Sequence, residues 1–256
     1  MQNHFTIKIV LQVNEDMKTN LSVNINKVAL IRNSRGEHLP NLVQIAIDCE
    51  RFGAEGITVH PRPDQRHVRY DDIAPLKAAV QTELNIEGNP IPKFMDLVLA
   101  NQPHQCTLVP DKPDALTSDS GWDTITHASF LTEIIQTLKS EGIRVSVFLN
   151  ADERLVEGAK AVGADRIEFY TGIFAKKFNT TARQEIIERH ARCAALAHEL
   201  GLGINAGHDL NLKNLHFYKK HIPHLSEVSI GHALISDALY LGLETTINKY
   251  LKALVL

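Results

Sequence analysis

Short apolar segments alternate with longer amphipathic segments along most of the chain. The short segments have the length of strands, and most are rich in valine and isoleucine. Several are apolar almost throughout, which is typical of strands buried on both faces of a parallel sheet. The eight predicted strands are Leu21–Ile25, Gly56–His60, Glu83–Glu87, Cys106–Pro110, Val145–Leu149, Arg166–Tyr170, Leu202–Ala206 and Val228–His232.

The segments between these strands carry apolar residues at helical spacing. LVQIAIDCERFGA ends at Gly53, and IIERHARCAALAHELGLG ends at Gly201 and Gly203, where glycine suits the left-handed residue that closes a helix. The phrases RFGAEGI, KSEGIRV, AVGADRI and HELGLGI recur just before predicted strands two, five, six and seven. Eight β-then-α units favour an α/β fold of the TIM (β/α)8 barrel type, with extra helices, over an open doubly wound sheet.

The domain organisation follows from the extent of this pattern. No low-complexity stretch and no Pro/Gly linker divides the chain, so we predict one catalytic barrel domain over residues 21–256. Residues 1–20 fall outside the pattern and are predicted to form an N-terminal extension. Either the biological start is Met17, or the extension forms a short strand that covers the bottom of the barrel.

Composition narrows the class of protein. A chain of 256 residues with 44% hydrophobic residues suits a single barrel with a large core. The net charge of −3, without a run of lysine or arginine, disfavours nucleic acid as a partner. No apolar run reaches the ~20 residues of a membrane helix, and no signal-peptide pattern is present, so we expect a cytoplasmic protein with no membrane partner. Cys49, Cys106 and Cys193 are far apart and are expected to be buried and unpaired.

Polar residues follow the predicted strands at the end where a barrel carries its chemistry. These candidates are Asn24, Asn26, Lys27, Arg35, His60, Arg62, His67, Glu87, Thr117, Glu168, His208, Asp209, Gly231 and His232. Arginine and lysine can bind phosphate, histidine and glutamate can transfer protons, and Gly-His before a helix exposes backbone N–H groups to an anion.

Each candidate also has a structural interpretation. A strand-end histidine can be a satisfied structural residue, Arg62 can be a solvated loop charge, and Glu87 can cap the following helix. Glu168 differs, because a carboxylate within a buried strand is costly without a partner, which favours a functional role. Their joint occurrence at one rim is what predicts a site for phosphorylated substrates.

Five segments carry a family resemblance. VNINKVALIRNSRG (Val23–Gly36), GITVHPRPDQRHV (Gly56–Val68), CTLVPDKPDALTSDSGWD (Cys106–Asp123), INAGHDL (Ile204–Leu210) and IGHALI (Ile230–Ile235) together resemble the pyridoxine 5′-phosphate synthase family. The resemblance implies a transferase of vitamin B6 biosynthesis. It would condense 1-deoxy-D-xylulose 5-phosphate with 3-amino-2-oxopropyl phosphate to give pyridoxine 5′-phosphate, phosphate and water. It also implies no metal or redox cofactor and a homo-oligomer, specifically a homo-octamer.

The resemblance also implies roles for individual residues. Glu87 and His60 correspond to proton acceptors, His208 to a proton donor, and Glu168 to a group that stabilises the transition state. Contacts to the deoxyxylulose phosphate are implied for Arg62, His67 and Thr117. Contacts to the aminoketone phosphate are implied for Asn24, Arg35, Asp209, Gly231 and His232.

Three positions depart from the family pattern. Asn26-Lys27 stands where the pattern has Asp-His, and Asp209 stands where it has Gly. Asn26 keeps hydrogen bonding and Lys27 keeps a cation, so both still suit binding of a phosphorylated sugar. Asp209 can still contribute its backbone N–H.

Alternative functions remain open at this point. Lys27 could be the nucleophile of a lysine Schiff-base aldolase that acts on a phosphorylated sugar. His60, Glu87 and His208 could be the ligands of a metal-dependent isomerase. A non-catalytic barrel that senses a phosphorylated metabolite would need the arginines but not the proton-transfer set. The polar loop after the fourth strand, PDKPDALTSDSGWD, is a candidate lid.

Overall fold

Eight parallel strands close into one barrel. The computed structural model describes residues 18–36, 38–111 and 120–256. Each strand pairs in parallel with the next one in sequence, and the first pairs with the last to complete the ring. The strands are β1 (Asn20–Asn24), β2 (Gly56–Val59), β3 (Glu83–Gly88), β4 (Gln105–Leu108), β5 (Arg144–Leu149), β6 (Arg166–Phe169), β7 (Gly203–Gly207) and β8 (Leu225–Ile230). The predicted barrel is confirmed.

Helices surround the barrel. They are α1 (Asn26–Asn33), α2 (Leu42–Arg51), α3 (Ile73–Ala79), α4 (Pro92–Asn101), α5 (Ala128–Ser140), α6 (Glu153–Ala161), α7 (Gly172–Lys177), α8 (Arg183–Glu199), α9 (Leu215–His221), α10 (His232–Leu241) and α11 (Leu243–Ala253). Each β-then-α unit needs one helix, so α1, α7 and α11 are the predicted extra helices. Among the described residues, no helix is long and apolar enough to span a membrane.

Left-handed glycines end two of the helices that precede strands. Gly53 has φ +104° just after α2, and Gly201 has φ +73° just after α8. Only glycine adopts these angles without strain, so the recurring glycine phrases were correctly interpreted as helix ends. Gly203 was wrongly included among these helix ends, because it is the first residue of β7.

The strand boundaries differ most at the last strand. β8 begins at Leu225, three residues before the predicted start, and its ladder to β7 contains an irregular register. Gly231 and His232 had been assigned to this strand, but Gly231 is the N-cap of α10 and His232 is its first residue. The end of the barrel therefore passes directly into a helix N-terminus.

The barrel strands are not apolar on both faces. Val23 and Ile57 lie in the apolar core, whereas the alternate residues Ser22 and Thr58 join their hydroxyl groups at 2.7 Å. The polar row continues on the next strand, where Asn85 Nδ2 donates to Thr58 Oγ1 at 3.4 Å. Since side chains alternate along a strand, the outer face packs on the helices and the inner face is polar and internally hydrogen-bonded.

Parts of the predicted organisation lie outside the described residues. Residues 1–17 of the predicted extension are among them. The extension was predicted to end at residue 20, but β1 already begins at Asn20. Residues 112–119 contain most of the proposed lid, including Thr117. The extension and the lid therefore stay predictions.

Candidate active site

A single cavity of about 580 Å³ collects most of the predicted site residues at the C-terminal ends of the strands. Glu87, Glu168 and Asn24 reach it from within strands, and the others lie in the loops or the first helical turns that follow. The predicted residues that line it are Asn24, Asn26, Lys27, His60, Arg62, His67, Glu87, Glu168, His208, Asp209, Gly231 and His232. The cavity thus contains both proton-transfer groups and cations.

Glu87 reaches the cavity from β3 and is 9% exposed. Burial raises the pKa of its carboxyl to about 8, and the charges of Asp111 and Glu227 act in the same direction. Asn24 Nδ2 donates a hydrogen bond of 3.5 Å to Glu87 Oε2. A carboxyl that titrates near neutral pH is poised to act as a general base.

Glu87 does not cap the following helix. It belongs to β3, whereas the N-cap of α4 is Ile91, which makes no side-chain capping bond. The helix-capping interpretation is therefore wrong. The carboxyl is available to the cavity.

Glu168 is the second buried carboxyl, on β6 at 4% exposure. Burial raises its pKa well above the ordinary value, and the neighbouring charge of Glu87 raises it further. Its Oε2 atom has no hydrogen-bond partner among the described residues. When two neighbouring carboxyls disfavour each other's ionisation, one can hold a proton while the other loses it. Glu87 and Glu168 can therefore play different roles in proton transfer.

His60 follows β2 and is also buried. Burial lowers the pKa of its ring well below the ordinary value, and the charges of Arg62 and His67 lower it further. Its ring centroid lies 6.4 Å from that of His67. Because the ring is neutral at physiological pH, His60 can accept a proton.

The ring of His67, like that of His60, has a lowered pKa, and hydrogen bonds hold its backbone in place. Burial lowers its pKa to about 4, and the charges of Arg62 and Lys27 lower it further. Its carbonyl accepts hydrogen bonds from Asn33 Nδ2 at 2.6 Å and from Arg32 Nη2 at 3.3 Å. Arg32 also forms a two-bond ion pair with Asp72 at 2.6 and 2.9 Å, so α1 fixes the loop that presents His67.

Asn26 has a structural role that the family pattern, with aspartate at this position, did not reveal. Its Oδ1 accepts the backbone N–H of His60 at 2.9 Å, and its own N–H donates to Asn24 Oδ1 at 3.1 Å. These bonds connect the end of β1 with the end of β2. An amide oxygen serves this purpose as well as a carboxylate oxygen would.

Arg62 is a cation of the cavity wall whose charge acts on His60. It is 4% exposed and forms an ion pair with Asp111, whose side chain is 7% exposed. Asp111 was not predicted as a site residue. A buried guanidinium needs a counter-charge, so Asp111 holds Arg62 at the cavity wall.

The N-terminus of α10 forms a second edge of the cavity. Gly231 is its N-cap, no side chain caps the first turn, and His232 lies exposed at the mouth. A methyl group on Gly231 would lie 3.0 Å from Asn24 Cβ, so the close approach of β1 leaves little room for a side chain there. Uncapped N–H groups at a helix N-terminus form a suitable anion site.

Two predicted contacts are not among the described residues of the cavity wall. Arg35 lies exposed just beyond the end of α1 and does not appear in the described cavity wall. Thr117 lies outside the described residues. The backbone N–H of Asp209, expected to be available to substrate, instead donates to Thr171 Oγ1 at 3.3 Å.

Other residues line the cavity without having been predicted. Val109, Phe148 and Tyr170 form a small apolar cluster on one wall, with the two aromatic ring centroids 5.9 Å apart. Lys176 on α7 and Asn211 after β7 also contribute. The aromatic wall was missed because only polar residues at strand ends were considered.

The metal-site alternative lacks a suitable geometry. In the part of the chain that the structure describes, no three histidine, cysteine, aspartate or glutamate side chains are grouped to hold a metal ion. His60, Glu87 and His208 line one cavity but are not arranged as a ligand set.

Glu87 makes a pH-dependent contribution to stability that can be measured. Because its pKa is raised from 4.5 to about 8, that contribution is fully present below pH 4.5 and is lost as the pH rises through about 8. Glutamine does not titrate, so Glu87→Gln should gain stability relative to the natural protein across this window, by at most about 1.4 kcal/mol per pH unit.

Urea unfolding at several pH values measures this difference, with the exposed Glu141→Gln as the control. A stability difference that does not change between pH 4.5 and 8 would contradict the assigned burial.

The fold and site define an α/β-barrel enzyme whose proton-transfer groups line a cavity at the C-terminal rim. Solved structures with the same fold include 3-keto-L-gulonate-6-phosphate decarboxylase from Vibrio cholerae, with a TM-score of 0.63 and 7% identity over 93% of this chain and 98% of that one. Phosphoribosyl anthranilate isomerase from Thermococcus kodakaraensis has a TM-score of 0.59 and 13% identity over 92% and 98%. At these identities the likeness concerns the fold alone.

Sequence comparison identifies the family. The model of the family described as pyridoxal phosphate biosynthesis protein PdxJ matches residues 21–255, and the chain belongs to this family. The chain is 60% identical to pyridoxine 5′-phosphate synthase of Cytophaga hutchinsonii and 57% identical to that of Christiangramia forsetii. Both alignments cover 92% of this chain and 99% of the relative.

Proposed function

We propose that the protein is a pyridoxine 5′-phosphate synthase. It condenses 1-deoxy-D-xylulose 5-phosphate with 3-amino-2-oxopropyl phosphate and forms pyridoxine 5′-phosphate, phosphate and water. The observation that carries this proposal is the joint presence of Glu87, His60 and His208 in one cavity of a chain belonging to this family. The named relatives, which align over almost their whole length, support it.

The cations and the helix N-terminus bind the two phosphates in this proposal. Arg62, held by Asp111, and the neutral ring of His67 contact the deoxyxylulose phosphate. Gly231 and His232 at the start of α10 contact the aminoketone phosphate. Charged hydrogen bonds from the guanidinium and backbone N–H groups at the helix end are both suited to phosphate.

The proton-transfer groups carry out the chemistry between these two anion sites. Schiff-base formation, enolisation, loss of phosphate and aldol-type ring closure all require a proton to be removed or delivered. Glu87 and the neutral ring of His60 accept protons, and His208 donates one. Burial raises the pKa of Glu168 well above its ordinary value, so its carboxyl can hold a proton and donate a hydrogen bond to an oxygen that gains negative charge.

The proposal is tested by incubating the purified protein with both substrates and analysing the products by chromatography. Pyridoxine 5′-phosphate should form only when both substrates are present. Its absence with an active preparation of both substrates would contradict the proposal.

The lysine aldolase is the second candidate, because Lys27 lies half-buried in the cavity wall. An aldolase would form a Schiff base between Lys27 Nζ and a substrate carbonyl. Borohydride added during turnover would then attach the substrate to Lys27, and mass spectrometry of the digested protein would locate it. A synthase that uses the amine of its own substrate leaves Lys27 unmodified.

We also propose a homo-oligomer in the cytoplasm. Leu239 and Tyr240 at the end of α10 are 73% and 91% exposed, and an apolar pair of this kind suits contact with a second copy. The C-terminal helix α11 packs on α10, and Tyr250 Oη donates a hydrogen bond to Asp237 Oδ2 of α10 at 2.9 Å. Light scattering tests the assembly, and a monomer would contradict it.

The ionised substrates favour the cytoplasm, because phosphate esters do not cross membranes unaided.

A further inference from the structure

We infer that Asp209 is a positioning residue for His208, fixing which nitrogen of the imidazole exchanges a proton with the substrate. Asp209 stands at a position where the family pattern has glycine, and the resemblance gave its side chain no role. The inference rests on the proposed function for the identity of the reaction. The orientation of His208 that it assigns can be measured without turnover.

The contact between the two side chains is direct. His208 Nδ1 lies 2.7 Å from Asp209 Oδ2, and both side chains are about one-third exposed, at 36% and 32%. An ionised carboxylate can only accept a hydrogen bond, so Nδ1 must carry the proton. The neutral ring therefore has its lone pair on Nε2, and Nε2 is the atom that gains or loses a proton during catalysis.

The backbone holds this pair of side chains in register. His208 has a left-handed φ of +39°, which is unusual for a residue with a side chain. Its N–H donates to Ser229 O at 3.1 Å, and the N–H of Asp209 donates to Thr171 Oγ1 at 3.3 Å. The fully buried Thr171 hydroxyl in turn donates to Gly207 O. These bonds fix the turn after β7 on both sides. Its residue with the unusual backbone angle, His208, lines the cavity.

The chemistry of a proton donor explains what the carboxylate contributes. A donor must first hold a proton on Nε2 and then release it to the substrate. A carboxylate on Nδ1 stabilises the cationic ring before the transfer and keeps the neutral ring in a single tautomer after it. In this step the Nε2–H bond breaks and a bond from that proton to the substrate forms, while the Nδ1–H bond is unchanged. The proton leaves Nε2, and the ring returns to the neutral Nδ1–H form.

A direct contact from Asp209 to a substrate phosphate is a poorer explanation. Two negative groups repel each other, and the backbone N–H of this residue is already bonded to Thr171. The side chain is therefore better suited to act through His208. It contacts the ring rather than the substrate.

The tautomer of His208 is the direct test. Protein with ¹⁵N-labelled histidine is recorded by NMR over a pH series that reaches the neutral ring, and the His208 signal is assigned by its loss in His208→Gln. In the natural protein, Nδ1 should carry the proton and Nε2 should be unprotonated. In Asp209→Ala the Nε2–H tautomer should gain population. An unchanged tautomer in Asp209→Ala would overturn the inference.

Kinetics on matched variants provide the second test. Asp209→Ala should lower kcat roughly 10-fold to 100-fold with little change in KM, as for loss of a group that orients a catalytic histidine. Asp209→Asn keeps an acceptor oxygen and should lose less than Asp209→Ala. Asp96→Ala removes an exposed carboxylate from α4 and should behave like the natural protein. If Asp209→Ala instead raises KM alone, Asp209 binds substrate and the inference is wrong.

The two readouts separate this inference from the proposed function. If the protein forms no pyridoxine 5′-phosphate but the tautomer shifts in Asp209→Ala, the proposed function fails and the positioning of His208 stands. If product forms while tautomer and kcat are unchanged in Asp209→Ala, only the positioning fails.

Discussion

Glu87→Gln is expected to lower kcat by about 10²–10⁴ with little change in KM, because a positioned general base contributes about that factor to a rate. Glu87 lies at the end of β3 with its carboxyl in the cavity, and burial raises its pKa to about 8. Glutamine has nearly the same shape and can still accept a hydrogen bond from Asn24. Substrate binding should therefore be retained. Because glutamine cannot take up a proton, turnover should be lost.

The pH profile gives a second readout on the same variant. In the natural protein, kcat should rise with pH as Glu87 ionises, with the midpoint of the rise at about pH 8. The rise should be absent from the residual activity of Glu87→Gln. The exposed Glu141→Gln serves as the control for a general charge effect. A kcat within a few-fold of the natural protein would end the assignment of Glu87 as the base.

Arg62→Ala is expected to weaken binding of the deoxyxylulose phosphate. A hydrogen bond to a charged group contributes about 1.5–3 kcal/mol, which corresponds to a rise in KM of roughly 10-fold to 150-fold. The structure adds a second effect that the sequence did not indicate. Because Arg62 and Asp111 form a buried pair, removal of the arginine alone takes a counter-charge away from a buried carboxylate and costs about 3–5 kcal/mol of stability.

A double variant separates these two effects. Arg62→Ala combined with Asp111→Asn removes the guanidinium without leaving a buried charge, so most of the stability should return while KM stays high. Arg66→Ala is the control on the same loop, since Arg66 pairs with Asp64 and does not line the cavity. Steady-state kinetics and urea unfolding measure both quantities. A normal KM in the folded double variant would show that Arg62 does not bind the phosphate.

The fold could be predicted because each β-then-α unit repeats the same local signals. Glycines such as Gly53 and Gly201 mark helix ends by a backbone angle that other residues avoid. The polar inner face was missed, although LSVNI and GITVH already alternate between apolar and polar residues. The high apolar content of the strands concealed this alternation of apolar and polar residues. In a barrel, alternate residues of a strand face the helices and the interior.

The site could be predicted where its residues directly follow strands, and not where it depends on pairs distant in sequence. His60 and His208 follow buried strands and Glu87 lies at the end of one, and the barrel brings those ends together. Asp111 and Arg62 are far apart along the chain, so their ion pair has no local signature. Arg35 belongs to a family motif but lies outside the described cavity wall, so its contact to the aminoketone phosphate stays a prediction.

The most direct measurement is the stoichiometry of product and phosphate when purified protein is supplied with both substrates. Two phosphate groups enter the proposed reaction and one is retained, so one inorganic phosphate should appear for each pyridoxine 5′-phosphate, and neither should form when one substrate is omitted. The ratio should hold in Glu87→Gln at a greatly reduced rate. Phosphate release without pyridoxine 5′-phosphate, or conversion of the sugar phosphate alone, would contradict the account.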